Sequence, residues 1–166
     1  MAVNSFGNID YTVPGGGMTL LSTTSLSGTT TTISSINQTY NDLIVVVKGY
    51  TFSAAANLRI NPVSSASSCP GVGVSNAGAA FSPNNLEDGT TTVAPGANAN
   101  VFYLYISQYA DSTNRKAYQM YSWNSSTPRI VAGAVNFATA ITSIAVTTAA
   151  GTSSFTAGQV LIYGVK

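Results

Sequence analysis

The chain has 166 residues and a mass of 17.0 kDa, the size of one domain with a single hydrophobic core. Charged residues make up only 7% of the chain, with six Lys and Arg against five Asp and Glu. This composition excludes the basic surface that binds nucleic acid, and it excludes the charge excess that keeps a chain unfolded. It has no histidine, which excludes Ser-His-Asp and Cys-His catalysis and removes the commonest metal ligand, so we expect a non-enzymatic protein without a metal or cofactor.

The composition also predicts the fold class and a need for partners. The chain contains 21 Ser, 21 Thr and 15 Gly, which favour turns and strands over long helices. A surface with so few charges, on a chain of net charge +1, tends to self-associate, so we expect a homo-oligomer or a part of a larger assembly. No stretch approaches 18 apolar residues and no basic, apolar leader opens the chain, so neither a membrane span nor a signal peptide is expected.

Residues 1–17 are predicted to form an N-terminal arm that ends in a glycine hinge, and residues 18–166 one β-sandwich domain. The arm carries four apolar side chains separated by polar residues: Phe6, Ile9, Tyr11 and Val13. The three consecutive glycines that end it allow wide backbone freedom. One interpretation is a disordered tail. The interpretation we favour is an extended segment whose apolar side chains dock on a neighbouring subunit.

Residues 40–50 predict the central strand of the fold. They contain five consecutive apolar residues, 43–47, of which four are β-branched, a run typical of a strand that is covered on both faces. Asn41 and Asp42 before the run and Gly49 after it are turn and breaker residues, which predict a length of about seven residues. Residues 159–166 have the same character and are expected to lie beside it.

The remaining strands are shorter. They are predicted at residues 18–25, 29–34, 57–61, 90–94, 100–109, 115–124, 130–136 and 140–148. Strand 100–109 is also expected to be covered on both faces, and a turn at 110–114 leads to its antiparallel partner, 115–124. Further turns are predicted at 125–129 and 149–158. The total of about ten short strands is typical of an antiparallel, jelly-roll-like β-sandwich.

Residues 63–89 predict a long irregular stretch, rich in small residues, and such stretches often carry binding surfaces. Its last part, 84–89, offers oxygen ligands for calcium, but their spacing favours a plain solvated turn. Glu87 and Asp88 are adjacent rather than placed across a sugar ring, so a glycosidase is not expected. Cys69 has no basic neighbour in sequence and is predicted to be an inert thiol.

Strand 115–124 predicts an aromatic patch. Tyr118, Met120 and Ser122 alternate with Gln119, Tyr121 and Trp123, so Tyr121 and Trp123 share one face. Aromatic pairs of this kind pack in cores and subunit interfaces, and they also stack on sugar rings. We favour core or interface packing, and a surface patch that recognises glycans is the alternative.

Three segments carry a resemblance to known proteins: TYNDLIVVVKGY at 39–50, LRIN at 58–61 and FTAGQVLIYGVK at 155–166. Together they resemble small β-sandwich virion proteins and tail-fibre modules of tailed bacteriophages, of the kind found in cyanophages. The resemblance extends from about residue 20 to the C-terminus. The chain departs from the pattern after LRIN, where a Ser-, Ala- and Gly-rich segment replaces an expected aspartate-glycine turn and tyrosine.

The resemblance implies a structural protein of the virion, assembled in the host cytoplasm as a homotrimer. As a head decoration (cement) protein it would stabilise the capsid shell, with the arm fastened to the major capsid protein. As a tail-fibre or receptor-binding module it would contact host polysaccharide through residues 63–89 and the face of Tyr121 and Trp123. The hinged arm and the lack of a long fibrous shaft favour decoration.

Overall fold

The computed structural model of the chain describes residues 17–62, 69–75, 80–88, 100–124, 127–149, 151 and 153–166. These residues contain twelve strands and no helix, so the predicted all-β class is confirmed. In chain order the strands are β1 (Met18–Ser25), β2 (Thr30–Ile33), β3 (Asp42–Phe52), β4 (Leu58–Asn61), β5 (Gly71–Ser75), β6 (Ala80–Phe81), β7 (Leu86–Glu87), β8 (Val101–Ile106), β9 (Lys116–Asn124), β10 (Thr127–Val135), β11 (Ile144–Thr148) and β12 (Phe155–Val165).

The strands form two antiparallel sheets. The larger sheet has eight strands in the order β1-β12-β3-β8-β9-β10-β5-β6, and the smaller has four in the order β2-β11-β4-β7. Four pairs of consecutive strands have one member in each sheet: β1 and β2, β3 and β4, β7 and β8, and β11 and β12. The chain therefore crosses repeatedly from one sheet to the other. This is the jelly-roll arrangement of two Greek keys, and it confirms the predicted sandwich.

The hydrophobic core lies between the sheets. From β3, Leu43, Val45 and Val47 are fully buried because alternate residues of a strand point to the same face. Side chains from the facing strands of the smaller sheet fill the other side of the core: Leu58, Ile60, Leu86, Ile144 and Val146. The alternation that the sequence shows therefore gives each strand one buried face.

The two most apolar strands lie side by side, as predicted: β12 pairs with β3 along most of its length. The central strand does not end at Gly49, however, but continues to Phe52. Gly49 has φ +61°, and Gly49 and Tyr50 together lie opposite the single residue Gly158, which makes a β-bulge. Gly49 was therefore wrongly predicted as a strand end, because a glycine with positive φ can also insert an extra residue into a continuous strand.

The prediction that β3 and β8 are covered on both faces is wrong for the single chain. The outward-facing Ile44 and Val46 are half-buried, and Val101 is 41% exposed. The smaller sheet covers only one face of the larger sheet, and among the described residues no second layer lies on the other face. We call the face of the larger sheet that points away from the smaller sheet the outer face.

Part of the stretch 63–89 is also regular, contrary to prediction, since it contains β5, β6 and β7. A Cβ on Gly71 would lie 2.4 Å from Oη of Tyr118, and one on Gly133 would lie 2.2 Å from the Pro70 carbonyl oxygen. The glycines therefore allow β5 to approach β10 closely. A glycine-rich composition, which predicted a loop, here reflects tight packing of one strand on another.

The remaining boundaries differ by a few residues. The hairpin of β8 and β9 is confirmed, with Tyr105 opposite Gln119. The turn predicted at 125–129 is shorter, since β10 begins at Thr127. The strand predicted at 140–148 begins later, at Ile144, and the strand predicted at 159–166 begins earlier, at Phe155. The strand predicted at 90–94 and all of the arm before Gly17 lie outside the described residues.

Candidate functional site

Strand β9 places Tyr121 and Trp123 together on the outer face, as the alternation predicted. Their side chains are 44% and 49% exposed, whereas Tyr118 and Met120 on the same strand are buried. This exposure excludes packing in the core of this chain. A contact with another subunit or with a glycan therefore remains as the interpretation of the pair.

The strand register extends this pair into three rows of side chains across the outer face. The Tyr121 row contains Leu161, Val46, Tyr103, Tyr121, Ile130 and Val74. On one side of it, the Trp123 row contains Gln159, Lys48, Val101, Trp123 and Pro128. On the other side, the Gln119 row contains Tyr163, Ile44, Tyr105, Gln119, Ala132 and Val72. Lys48 is the one charged residue in the three rows.

The large hydrophobic side chains that are exposed in the described part of the chain all lie on this outer face. They are Met18, Leu20, Val72, Val74, Val101, Tyr121, Trp123 and Ile130. Val72 is 68% exposed and Ile130 52%. Scattered exposed apolar residues are normal on a soluble protein, but a contiguous patch marks an interaction surface. Sequence reasoning found only two of the eight, although the alternation of valine and glycine in residues 72–74 was a usable signal.

A shallow groove of about 310 Å³ runs between the two aromatic side chains and the neighbouring strands. Its lining includes Val101, Tyr103, Pro128 and Ile130, and almost all of its surface is carbon. The rings of Tyr103 and Tyr121 meet with their centroids 5.8 Å apart and tilted by 59°. A sugar needs hydrogen-bonding groups as well as a ring to stack on, so this groove fits an apolar side chain of a protein better than a saccharide.

Two opposite charges lie on the outer face of β3, Asp42 at its start and Lys48 just before the bulge. Lys48 is exposed in the Trp123 row, and Asp42 lies six residues away on the same face. The carboxylate of Asp42 is held in place, since Oδ2 accepts a 2.7 Å hydrogen bond from the Tyr105 hydroxyl and Oδ1 a 2.9 Å bond from the Gln108 N–H. The apolar patch is thus bordered by one positive and one negative group.

A buried carboxyl group lies inside the sandwich, where a solvated turn was predicted. Asp88 is fully buried; its Oδ2 accepts a 2.5 Å hydrogen bond from the Tyr50 hydroxyl and its Oδ1 a 2.9 Å bond from the Leu58 N–H. The solvated-turn prediction is wrong at this residue, because Asp88 directly follows β7 and turns into the core. Gly89 lies outside the described residues.

The surroundings of Asp88 shift the pKa of its carboxyl group. Burial raises the pKa of Asp88 to about 7, while the hydrogen bonds from Tyr50 and Leu58 and the charge of Arg129 oppose the rise. Burial and the Asp88 carboxylate also raise the pKa of Tyr50 far above its usual value. The neighbouring Glu87 forms an ion pair with Arg59. Asp88 has no exposed surface, and its hydrogen bonds join Tyr50 in the larger sheet to Leu58 in the smaller one.

A second depression, of about 610 Å³, lies at the other end of the sandwich and is mostly polar. Its lining includes Gln38, Tyr40, Asn41, Asp42 and Asp111. Several of these groups already bond within the chain: Gln38 Nε2 donates to the carbonyl oxygens of Ile36 and Ile141, and Asp111 accepts bonds from the turn that follows it. Polar atoms beside an aromatic ring suit a polyhydroxylated ligand better than the apolar groove does.

The other residues predicted to make contacts cannot be placed. Phe6, Ile9, Tyr11 and Val13 of the arm lie outside the described residues. Within the part of the chain that the structure describes, no group of three or more Asp, Glu, Cys or His side chains is placed to hold a metal ion. No helix in that part is long and apolar enough to cross a membrane.

The comparisons with known proteins give no relatives: no family model, no curated protein and no solved structure matches the chain.

Proposed function

We propose that the chain is a non-enzymatic structural protein of a bacteriophage virion, a head decoration (cement) protein that stabilises the capsid shell through contacts between subunits. One observation carries the proposal: the exposed large hydrophobic side chains of the described residues are all gathered on the outer face. Contact surfaces between proteins have this character, with aromatic residues at the centre and few charges. The resemblance to phage virion proteins supplies the setting.

In this proposal the two parts of the chain have different tasks. The outer face of the sandwich lies against other subunits. The arm, residues 1–17, fastens the protein to the major capsid protein through Phe6, Ile9, Tyr11 and Val13. The protein is a homo-oligomer located in the virion, with no role for nucleic acid, a membrane or a cofactor. The trimer that the resemblance implies stays a prediction.

The state of the described carboxylates supports a non-enzymatic role. Asp88 is fully buried, Glu87 is paired with Arg59, Asp42 is bonded to Tyr105 and Gln108, and Asp111 accepts hydrogen bonds from Thr113 and Asn114. Glycoside hydrolysis needs two carboxyl groups that face each other across a sugar ring. Each of these four groups instead serves a contact within the fold.

The alternative is a tail-fibre or receptor-binding module that contacts host surface polysaccharide. The polar depression beside Tyr40 favours it, since carboxylate and amide groups next to a ring can bind sugar hydroxyls. The apolar groove at Tyr121 and Trp123 speaks for a protein contact instead. We therefore keep decoration as the proposal.

The number of copies in purified virions separates the two functions. Quantitative mass spectrometry against an isotope-labelled standard should find hundreds of copies per particle for a decoration protein. A few dozen or fewer would indicate a tail role, and absence from the particle would overturn both. A second measurement uses a variant that lacks residues 1–17. It should no longer bind expanded capsids, whereas retained binding would contradict the task given to the arm.

A further inference from the structure

We propose that the outer face is a self-association surface, on which two copies of the chain pack face to face about a twofold axis that crosses β3 near Val45. In this pair each strand lies over the same strand of the second copy and runs in the opposite direction. The inference goes beyond the proposed function, because it concerns the isolated protein. It competes with the trimer implied by the resemblance.

The size of the face is that of a stable interface. Seven strands, from β1 to β5 in the order of the sheet and each about 4.8 Å wide, span roughly 34 Å, and three rows of side chains, each about 6.7 Å deep, cover about 20 Å. The patch therefore measures about 700 Å² on each copy, or about 1,400 Å² on the two together, within the range of about 1,200–2,000 Å² that specific complexes bury. One second copy is enough to cover it.

The sizes of the side chains on β9 and β10 match under this twofold operation. The Tyr121 row would lie over the Gln119 row of the second copy, which places Tyr121 over Gln119 and Ile130 over Ala132. A fourth row, which contains Ala117 and Ala134, lies beside the Gln119 row on the side away from Tyr121. The Trp123 row would lie over this fourth row, which places Trp123 over Ala117 and Pro128 over Ala134. On β9 and β10, larger side chains of one copy thus meet smaller side chains of the other. A twofold contact must be self-complementary in this way.

The charges match under the same operation. Lys48 and Asp42 lie on the outer face of β3, and Val45 is midway between them in sequence. A twofold axis over Val45 brings Lys48 of each copy to Asp42 of the other. The interface then contains two Lys-Asp ion pairs rather than four isolated charges. A second copy therefore covers the apolar rows and also pairs Lys48 and Asp42. An apolar ligand or a glycan would not do both.

The chain carries its own reporter for this association. Trp123 is the only tryptophan, it is 49% exposed in the single chain, and it lies in the proposed interface. On concentrating the full-length protein, the Trp123 emission should shift to shorter wavelength as the ring is buried. Over the same range, the mass by light scattering should rise from 17.0 kDa to twice that value.

Two variants and a matched control test the geometry. Ile130→Lys places a charge in the Tyr121 row and should weaken dimerisation about tenfold or more. Lys48→Glu should weaken it by a smaller factor, and its dimerisation should strengthen with added salt because Glu would face Asp42. Thr32→Lys adds the same charge at an exposed position of β2, in the smaller sheet, and should leave the dimer unchanged. Circular dichroism checks that each variant folds, and Val72→Lys replaces Ile130→Lys if that variant does not.

The proposal is overturned if the wild-type protein stays monomeric at high concentration or forms a trimer. It is also overturned if folded Ile130→Lys associates as the wild type does, or if Thr32→Lys disrupts the dimer equally. None of these results bears on the copy number in virions, so the failure of the dimer and the failure of the proposed function are distinguishable.

Discussion

The hydroxyl of Tyr50 donates a 2.5 Å hydrogen bond to Oδ2 of Asp88, and this bond connects β3 in the larger sheet to the residue that follows β7 in the smaller one. The bulge at Gly49 makes it possible. With regular alternation after Val47, position 50 would point to the outer face, and the extra residue turns Tyr50 inward instead. A local irregularity of β3 thus places the buried polar link between the sheets.

The buried carboxyl makes stability depend on pH. Burial raises the pKa of Asp88 from 3.8 to about 7, so between these values the folded state holds a proton that the unfolded state has lost. Raising the pH through this window therefore removes stability, up to about 4 kcal/mol in total. We expect a higher melting temperature at pH 5 than at pH 8, measured by circular dichroism.

The control for this effect is Asp88→Asn, which cannot ionise and should flatten the dependence between pH 5 and pH 8. Asp111 acts in a separate window. Hydrogen bonds from Asn114 and Thr113 hold the pKa of Asp111 well below its usual range, so its contribution is lost only as the pH falls below about 4. A wild-type protein that grows more stable from pH 5 to pH 8 would contradict the assignment to Asp88.

The bulge should tolerate no side chain at Gly158. A Cβ there would lie 2.7 Å from Cα of Tyr50, and Gly158 has φ +120°, which other residues rarely adopt. We expect Gly158→Ala to reduce the free energy of unfolding by roughly 2–4 kcal/mol in urea titrations. Gly17→Ala is the matched control, because no atom lies within 4 Å of a Cβ added at Gly17. The free energy of unfolding of this variant should equal that of the wild type. Equal stability of the two variants would show that the bulge is not rigid.

Local patterns predicted the parts of the fold that depend on strand alternation. The β-branched run 43–47 identified β3, the similar run at the C-terminus identified its neighbour β12, and the alternation in β9 placed Tyr121 and Trp123 on one face. These features follow from the period of two residues in a strand. They require no knowledge of what lies across the sandwich.

Features that depend on distant residues were missed. Gly49 has the same identity whether it ends a strand or forms a bulge, and only its pairing with β12 decides between them. Asp88 stands among polar residues, so nothing in its own sequence context shows that Tyr50 and Leu58 surround it. The full outer face was missed because only the pairing of β1, β8, β9, β10 and β5 into one sheet brings its exposed residues together.

The ammonium group of Lys116 should be important for stability. The residue is 1% exposed, and Nζ donates 2.9 Å hydrogen bonds to the carbonyl oxygens of Asn114 and Thr139 and a further bond to that of Ala138. Lys116→Met would leave these carbonyl groups without their donor, at a cost of roughly 2–3 kcal/mol. The measurement is urea unfolding beside Arg115→Met, an exposed neighbour that should change stability by less than about 0.5 kcal/mol. Similar losses in both variants would contradict a role specific to the buried ammonium group.

The thiol of Cys69 should be unreactive in the folded protein. The side chain is 1% exposed, and burial raises the pKa of Cys69 to about 11, so little thiolate forms at neutral pH. The Tyr118 hydroxyl also donates a 2.9 Å hydrogen bond to the Cys69 carbonyl oxygen, which holds this segment against β9. We expect Ellman's reagent to label native protein far more slowly than protein in urea. Tyr118→Phe should raise the labelling rate because it frees the segment, and rapid labelling of the native wild type would contradict the predicted inert thiol.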